Sequence, residues 1–511
     1  MNYKFVFKDM SGRLVGPSAI LVPNSYTWNA IGGPDKASVS ARGTREDVLQ
    51  LAGYLGYEVH ILNADNNEPY WWGQLYDLEM RFGQSTINVS LGGMYNRVKV
   101  TYRDTLSGTG SQETAWGQDN ESVNYYGKKE RIYSGSDMTA DEAVQRRNVL
   151  IGMTKYPQAV NKTGQSEGGS FSALLTCKGW FNAISWMYYT QLAGLEELTI
   201  TGDGTQNFGD GTTYQMAQSF VTSNTRTWSA YSAGAKMRKF GTPTDDVYMD
   251  ICADNSGEPG TLLATATVDD TEFSEQYKWI YAEFDSNPTL QPNTKYWLKL
   301  RRAGSQNGSN YYSSDVIEGD YRTDGICRLY NGSVWSDRSP AADMAFKVAG
   351  VLATSEQIKD IASADQFLTG VTVDTDTTVY GNPYRDGKAD AQFYLRELLR
   401  TGTQDGRRFL CRVDIDKHLH VWQEPLSTSG PSYVASEGGT WWDQSKTVIS
   451  RAKCPVGVWY KVKETPVVGL GEHINDPGMY FIEEATYDVS KDTLETEPRL
   501  STGAFDIIQI E

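Results

Sequence analysis

A chain of 511 residues with a formal net charge of -17 is too long for one hydrophobic core and too acidic to grip nucleic acid, which takes clustered Lys and Arg to displace counterions. A hydrophobic content of 39% with 12% aromatic residues excludes wholesale disorder, and 49 glycines with 31 tyrosines fit a turn-rich β protein. Cys177, Cys252, Cys327, Cys411 and Cys454 show no metal-ligand spacing, and an odd count excludes complete internal pairing. They read as buried free thiols of a soluble protein folded in a reducing cytoplasm. The opening MNYKFVFKDM has no apolar core of signal-peptide type, and no run is long enough to span a membrane.

Residues 3–7 and 13–22 read as strands, followed by a short helix with Thr44 as its N-cap and Val48, Leu49, Leu51, Ala52 and Leu55 as its apolar stripe. The next strands are EVHILNA, EPYWWGQLYDLEMRFG and STINVSLGGMYNRVKVTYR. A bulge at Gly73 would decide whether Trp72, Leu75 or Tyr76 faces the core. Together, residues 1–104 predict a small barrel with one helix.

Residues 105–213 predict a connector of helix and loop. Asp137 or Thr139 caps a helix from 140 to about 154, with Ala143, Val144, Arg147, Leu150 and Ile151 set among charges. Residues 161–170 (NKTGQSEGGS) read as a flexible loop. In FSALLTCKGWFNAISWMYYT, the aromatics Trp180, Phe181, Trp186, Tyr188 and Tyr189 read as a core or subunit seam. The stretch TGDGTQNFGDGT reads as a linker.

Residues 214–349 carry short alternating runs at the spacing of a β-sandwich, separated by Asn, Gly and Pro turns. Val247, Met249 and Ile251 should share one face, as should Tyr296, Leu298 and Leu300. No helix longer than a turn or two is needed.

After this insert, residues 350–425 continue the connector. A first helix has Ile358, Ile361 and Phe367 inward, and a second buries Phe393, Leu395, Leu398 and Leu399. RFLCRVDIDKHLHVWQEP then predicts a hairpin centred on Asp414-Ile415-Asp416-Lys417. Residues 426–511, with strands at VGVWYKVK, MYFIEEATYDV and AFDIIQIE, predict a second small barrel.

Enzyme signatures are absent. There is no GxSxG, HExxH, P-loop or GxGxxG in a strand-to-helix context. His418 and His420 lie at i, i+2 without a carboxylate or Cys at ligand spacing, and Asp414 and Asp416 are expected in solvent. With 64 carboxylates in the chain, pairs suited to glycoside hydrolysis arise by chance.

The order of YWWGQLYDLEMRFG, MYNRVKVTYRD, Asn120-Glu121-Ser122-Val123-Asn124-Tyr125-Tyr126-Gly127 and the DEAVQRRNVLIG helix, followed after the insert by a hairpin ending VWQEP, resembles the tail-hub (baseplate hub) chains of tailed bacteriophages. The insert resembles jelly-roll carbohydrate-binding modules. Its matching residues are Ala217-Gln218-Ser219-Phe220, Gly257-Glu258-Pro259-Gly260, Leu290 with Lys295-Tyr296-Trp297-Leu298, and Phe346.

The resemblance implies a mainly β protein with a few helices: two small tail-tube-like β-barrels, helical connectors and an inserted jelly-roll β-sandwich. Such a chain is a non-enzymatic virion component of the tail tip, made in the host cytoplasm. As a homotrimer it would place six barrels against a sixfold tube. It would meet distal tail, tail tube and tape-measure proteins, with DNA passing through the lumen and no sequence-specific nucleic-acid contact. The insert would bind a host-surface glycan or a neighbouring tail protein. The alternatives are a hexameric distal tail ring with the same insert, and a free carbohydrate-binding adhesion protein.

The candidate glycan platform is Trp228, Tyr231, Tyr311, Tyr312, Tyr330 and Trp335, because the C–H face of a pyranose stacks on an aromatic plane. No cofactor is expected beyond a structural Ca²⁺, for which Asp203, Asp210 and Asp343 are the candidate oxygen ligands. The competing reading of those three is a set of Asx turns.

Overall fold

The computed structural model describes residues 2–106, 111–163, 171–199, 202, 204–373, 380–403, 406–425, 432–435, 441–442, 448–462 and 479–500. The chain is mainly β with a few helices, and it divides into two compact units. One comprises residues 1–189, 358–378 and 388–511, the other residues 190–357 and 379–387.

In the first unit, Tyr3–Lys8 pairs antiparallel with Glu58–Asn63, which pairs with Pro69–Phe82. Phe171–Lys178 lies between Pro69–Phe82 and Ile31–Arg42. Its alternation makes this possible: Ala173, Leu175 and Cys177 point into the core while their neighbours do not. Ile31–Arg42 pairs with Ile20–Asn29, whose far half pairs with Met479–Asp488. The expected second barrel is thus corrected, since its long strand extends the N-terminal sheet. Among the described residues no pairing closes that sheet into a barrel, and strands from both expected barrels share it. The strand expected at AFDIIQIE lies outside the described residues.

The expected bulge falls at Tyr76, not Gly73. Thr176 pairs with Asp77 and Cys177 with Leu75, leaving Tyr76 unmatched, so Trp72 and Leu75 are both buried. Gly73 serves closeness instead, because a Cβ there would sit 2.2 Å from the Lys178 carbonyl oxygen. Residues 161–163, expected in a flexible loop, end the strand Gln158–Thr163, which pairs with Ser85–Ser90.

Two helices start as their sequences direct. Thr44 caps Arg45–Gln50 and Thr139 caps Ala140–Thr154, each in a reciprocal capping box, with Asp47 and Glu142 respectively. The second helix buries only Ala143 and Ile151 and leaves Val144 exposed. Its apolar residues are spread around the helix, so no single stripe forms. Trp180, Phe181, Trp186 and Tyr189 join Ile358, Ile361, Phe367, Leu395, Leu398 and Leu399 in one core, whereas Phe393 is exposed.

The second unit is a β-sandwich. One sheet runs Leu195–Leu198, Phe346–Ala353, Trp228–Phe240, Tyr311–Glu318, Gly204–Phe208, with Lys278–Glu283 also paired to Trp228–Phe240. The other runs Glu258–Val268, Val247–Asn255, Lys295–Arg302, Gln215–Val221, Cys327–Tyr330, Trp335–Asp337. Met249 opposes Leu300 and Ile251 opposes Leu298, all fully buried in the core between the sheets. Gly204–Phe208, read from sequence as part of a linker, is one of its strands, with Phe208 fully buried. Its Gly and Asp neighbours mask a single inward anchor.

Candidate functional site

The six candidate platform aromatics do not converge. Trp228 and Tyr312 are core residues, 2% and 0% exposed, and cannot reach a sugar. Both lie on strands where the inward position takes a large ring: Tyr312 packs on Phe208 and Phe273. Tyr330 and Trp335 face each other across a hairpin with ring centroids 5.2 Å apart. Trp335 packs onto Ala217, Cys252 and the buried Trp297, so this pair roofs the outer side of the second sheet.

Tyr231 and Tyr311 belong to the other sheet. Tyr311 stacks on Phe240, a residue the sequence reading missed, at 4.8 Å and 16°, and Phe240 is 52% exposed. The Glu283 carboxylate beside Tyr231 pushes its phenol above the usual range. Along the same face lie Tyr277, Trp279 and Tyr281, also missed. The signal was present as alternation in Tyr277-Lys278-Trp279-Ile280-Tyr281, with Ile280 buried and its flanking rings outward.

The expected Ca²⁺ ligands do not assemble. Asp203 lies outside the described residues. Asp210 accepts the backbone N–H groups of Thr212 and Thr213, an Asx turn. Asp343 is buried, and its oxygens accept from the Gln218 amide at 2.9 Å and from the backbone N–H groups of Tyr321 and Arg322 at 2.9 Å. Asp210 follows the strand end that pairs with Tyr312, whereas Asp343 pairs with Ile317 on the same strand. Five residues of extended chain separate those levels by about 17 Å. A different trio, Asp246, Asp269 and Asp270, does bring three carboxylates together. There Asp269 accepts from the Thr271 N–H and hydroxyl, which, ahead of any effect of burial, hold its carboxyl below the usual range.

In the first unit a cleft of about 510 Å³ is lined by Trp28, Trp72, Trp422, Asp414, Asp416 and Lys453 among others. Trp28 and Trp72 meet edge-on at 5.0 Å, and their indole N–H groups donate to the carbonyl oxygens of Tyr70 and Val413. The hairpin register sets Arg412 opposite His420. Asp414 then holds both, Oδ1 at 2.6 Å from Arg412 and Oδ2 at 2.9 Å from His420 Nε2. His420 therefore has a carboxylate partner that sequence spacing did not reveal, and Asp414 is an ion-pair residue. His418 turns to Thr372, at 2.8 Å. Lys453 pairs with Glu68 at 2.7 Å, so the charges lining this cleft are largely matched within the chain.

Two buried charges fasten the same unit. Glu58 is 6% exposed and takes Lys8 at 2.9 Å, His60 at 2.5 Å and Lys417 at 2.7 Å. Burial pushes its carboxyl up, but the His60 hydrogen bond and the Lys417 and Lys8 cations outweigh that and hold it at about 2. Lys129 sits among the rings of Trp186, Tyr76 and Tyr95 at 4.8, 5.2 and 5.3 Å and donates to the Leu91 carbonyl oxygen. Burial, and then Lys178 nearby, push its ammonium down to about 7.

No protein-family profile matches the chain, and no curated protein does. Among solved structures it is similar to the Cry4Aa toxin of Bacillus thuringiensis, at 8% identity over 59% of this chain and 52% of the toxin, with a TM-score of 0.17. It is also similar to a glycoside hydrolase family 43 arabinoxylan arabinofuranohydrolase of Bacillus subtilis, at 10% identity over 55% of this chain and 63% of the hydrolase, with a TM-score of 0.16. A third is the infectious bursal disease virus Gx strain structure, at 10% identity over 66% of this chain and 84% of that one, with a TM-score of 0.16. The chain thus spans about half the length of the toxin and under two thirds of the hydrolase. At TM-scores of 0.17 and below, these likenesses decide neither fold nor function.

Proposed function

We propose that the chain is a hub-type structural subunit of a phage tail tip, acting by assembly and binding, with an inserted β-sandwich that meets a host-surface glycan. One observation carries this reading: a self-contained sandwich is spliced into a unit whose own sheet is completed by strands from both sides of the splice. The strand Met479–Asp488, after the insert, pairs with Ile20–Asn29, before it. A unit built this way keeps its sheet while the chain leaves it over 190–357, and again over 379–387, to form a second module. The motif order that resembles tail-hub chains runs on both sides of the sandwich, which supports the same reading.

The test is the mass of the purified full chain by light scattering at several concentrations, followed by electron microscopy of particles bearing the tagged chain. A trimer located at the tail tip is expected. A hexamer in a ring would favour the distal tail protein. A monomer at every concentration, absent from particles, would overturn the assembly role.

A further inference from the structure

Outside the core, one face of the sandwich carries a row of aromatic rings. The strand Trp228–Phe240 buries Ala233, Ala235 and Met237, so Gly234, Lys236, Arg238 and Phe240 look outward. Strand pairing places Tyr281 beside Gly234 and Trp279 beside Lys236 on one side, and Tyr311 beside Phe240 on the other. Tyr277 fills the remaining level, lying under the Arg238 guanidinium at 4.5 Å with its hydroxyl 3.0 Å from Thr205. From Gly234 to Phe240 the row covers about 20 Å at the rise of a strand. That is the length of several pyranose rings in an extended chain.

Two features suit this row to a saccharide. Trp279 and Tyr281 are within 13° of parallel with centroids 5.8 Å apart, and Tyr281 is 56% exposed. Tyr281 leans over Gly234, where a Cβ would meet its ring at 2.4 Å, so the glycine lets the ring settle close to the sheet. The charges of the face are also matched in number: Lys236 is 2.7 Å from Asp315 and Lys347 is 3.2 Å from Glu197, while Arg238, over the Tyr277 ring, and Glu283 add one charge of each sign. Charges matched in number leave hydrogen-bonding groups without a net field that would select an anion or a cation. A ligand with apolar C–H faces and neutral hydroxyls is complementary to both features.

We propose that the outer face along Trp228–Phe240 binds an extended, neutral polysaccharide chain, stacked on Tyr281, Trp279 and Phe240 and hydrogen-bonded by Lys236 and Glu283. This rests on the reading of the sandwich as the glycan-facing module, and does not depend on the trimer.

The test uses the full chain and a panel of cellohexaose, xylohexaose, maltohexaose and mannohexaose, with oligogalacturonate as the acidic control, read by isothermal titration calorimetry. At least one neutral hexaose should bind, and Tyr281→Ala and Phe240→Ala should each weaken it about tenfold, the loss of one aromatic stacking contact. Tyr330→Ala, on the opposite sheet, should leave affinity unchanged. Circular dichroism checks each variant's fold, and hydrogen exchange of the unmodified chain supplies a mutation-free readout, with peptides over 228–240 and 278–283 protected by the bound hexaose. Failure of every neutral hexaose to bind, preference for oligogalacturonate, or protection over 327–337 instead would overturn the proposal. A monomer that still binds through Tyr281 would sink the hub reading and leave this one standing.

Discussion

Replacing Glu58 with Gln removes the one carboxylate that Lys8, His60 and Lys417 share in the first unit. The size of the effect follows from the carboxyl itself, held at about 2 in the folded chain against 4.5 when free. That difference corresponds to about 3 kcal/mol. Because the folded value is depressed, the stabilisation is fully present above the unfolded value near 4.5 and is lost as pH falls towards 2. In Glu58→Gln it is missing at every pH, and Lys8 and Lys417 are left close together without their anion. Hydrogen exchange over 3–8 and 58–63 reads the local opening, since these strands pair residue for residue. At pH 7 the variant should open about a hundredfold more often than the parent. At pH 3 the parent should have lost most of that advantage. Protection at pH 7 equal in the two proteins, or a parallel loss in both between pH 5 and 3, would refute the argument.

Lys129→Met should remove a pH dependence of the opposite sense. With the ammonium at about 7 when folded and 10.5 when free, the unfolded chain holds the extra proton between those values, so the parent gains stability as pH rises from 7 to 10. Urea titrations of parent and variant across that range should show this slope only in the parent. Asp343→Ala should destabilise the sandwich by about 2–3 kcal/mol, because the Gln218 amide and two backbone N–H groups lose a buried acceptor. Thermal unfolding with and without a Ca²⁺ chelator should show no chelator effect on the parent. Two glycines separate by surroundings. Gly152→Ala, exposed in a helix with open space around it, should add about 0.5–1 kcal/mol, whereas Gly179→Ala would put a Cβ 1.6 Å from the Pro34 carbonyl oxygen and should cut the yield of folded protein sharply.

Several elements were legible because their signals are local. The capping boxes at Thr44 and Thr139 need only four consecutive residues. The Val247, Met249, Ile251 alternation names its buried face without reference to any partner. The candidate sites were less legible. Trp228 and Tyr312 look like surface aromatics until their strand phase is known, and Tyr281 stands out only once Ile280 is seen to face inward. Asp414 and His420 are six residues apart in sequence yet 2.9 Å apart in space, because a hairpin folds them together.

The sequence by itself determined the mainly β class, the turns between strands and the inward phase of most of them, since these depend on side-chain period and turn chemistry. Only the tertiary structure decided which strands pair. Thr27 meets Thr486 across 459 residues, and the unpaired N–H and C=O groups of one strand edge are chemically like those of any other. Partner choice is set by how whole faces pack. That choice put strands of both expected barrels into one sheet and gathered Phe240, Tyr277, Trp279, Tyr281 and Tyr311 on one face.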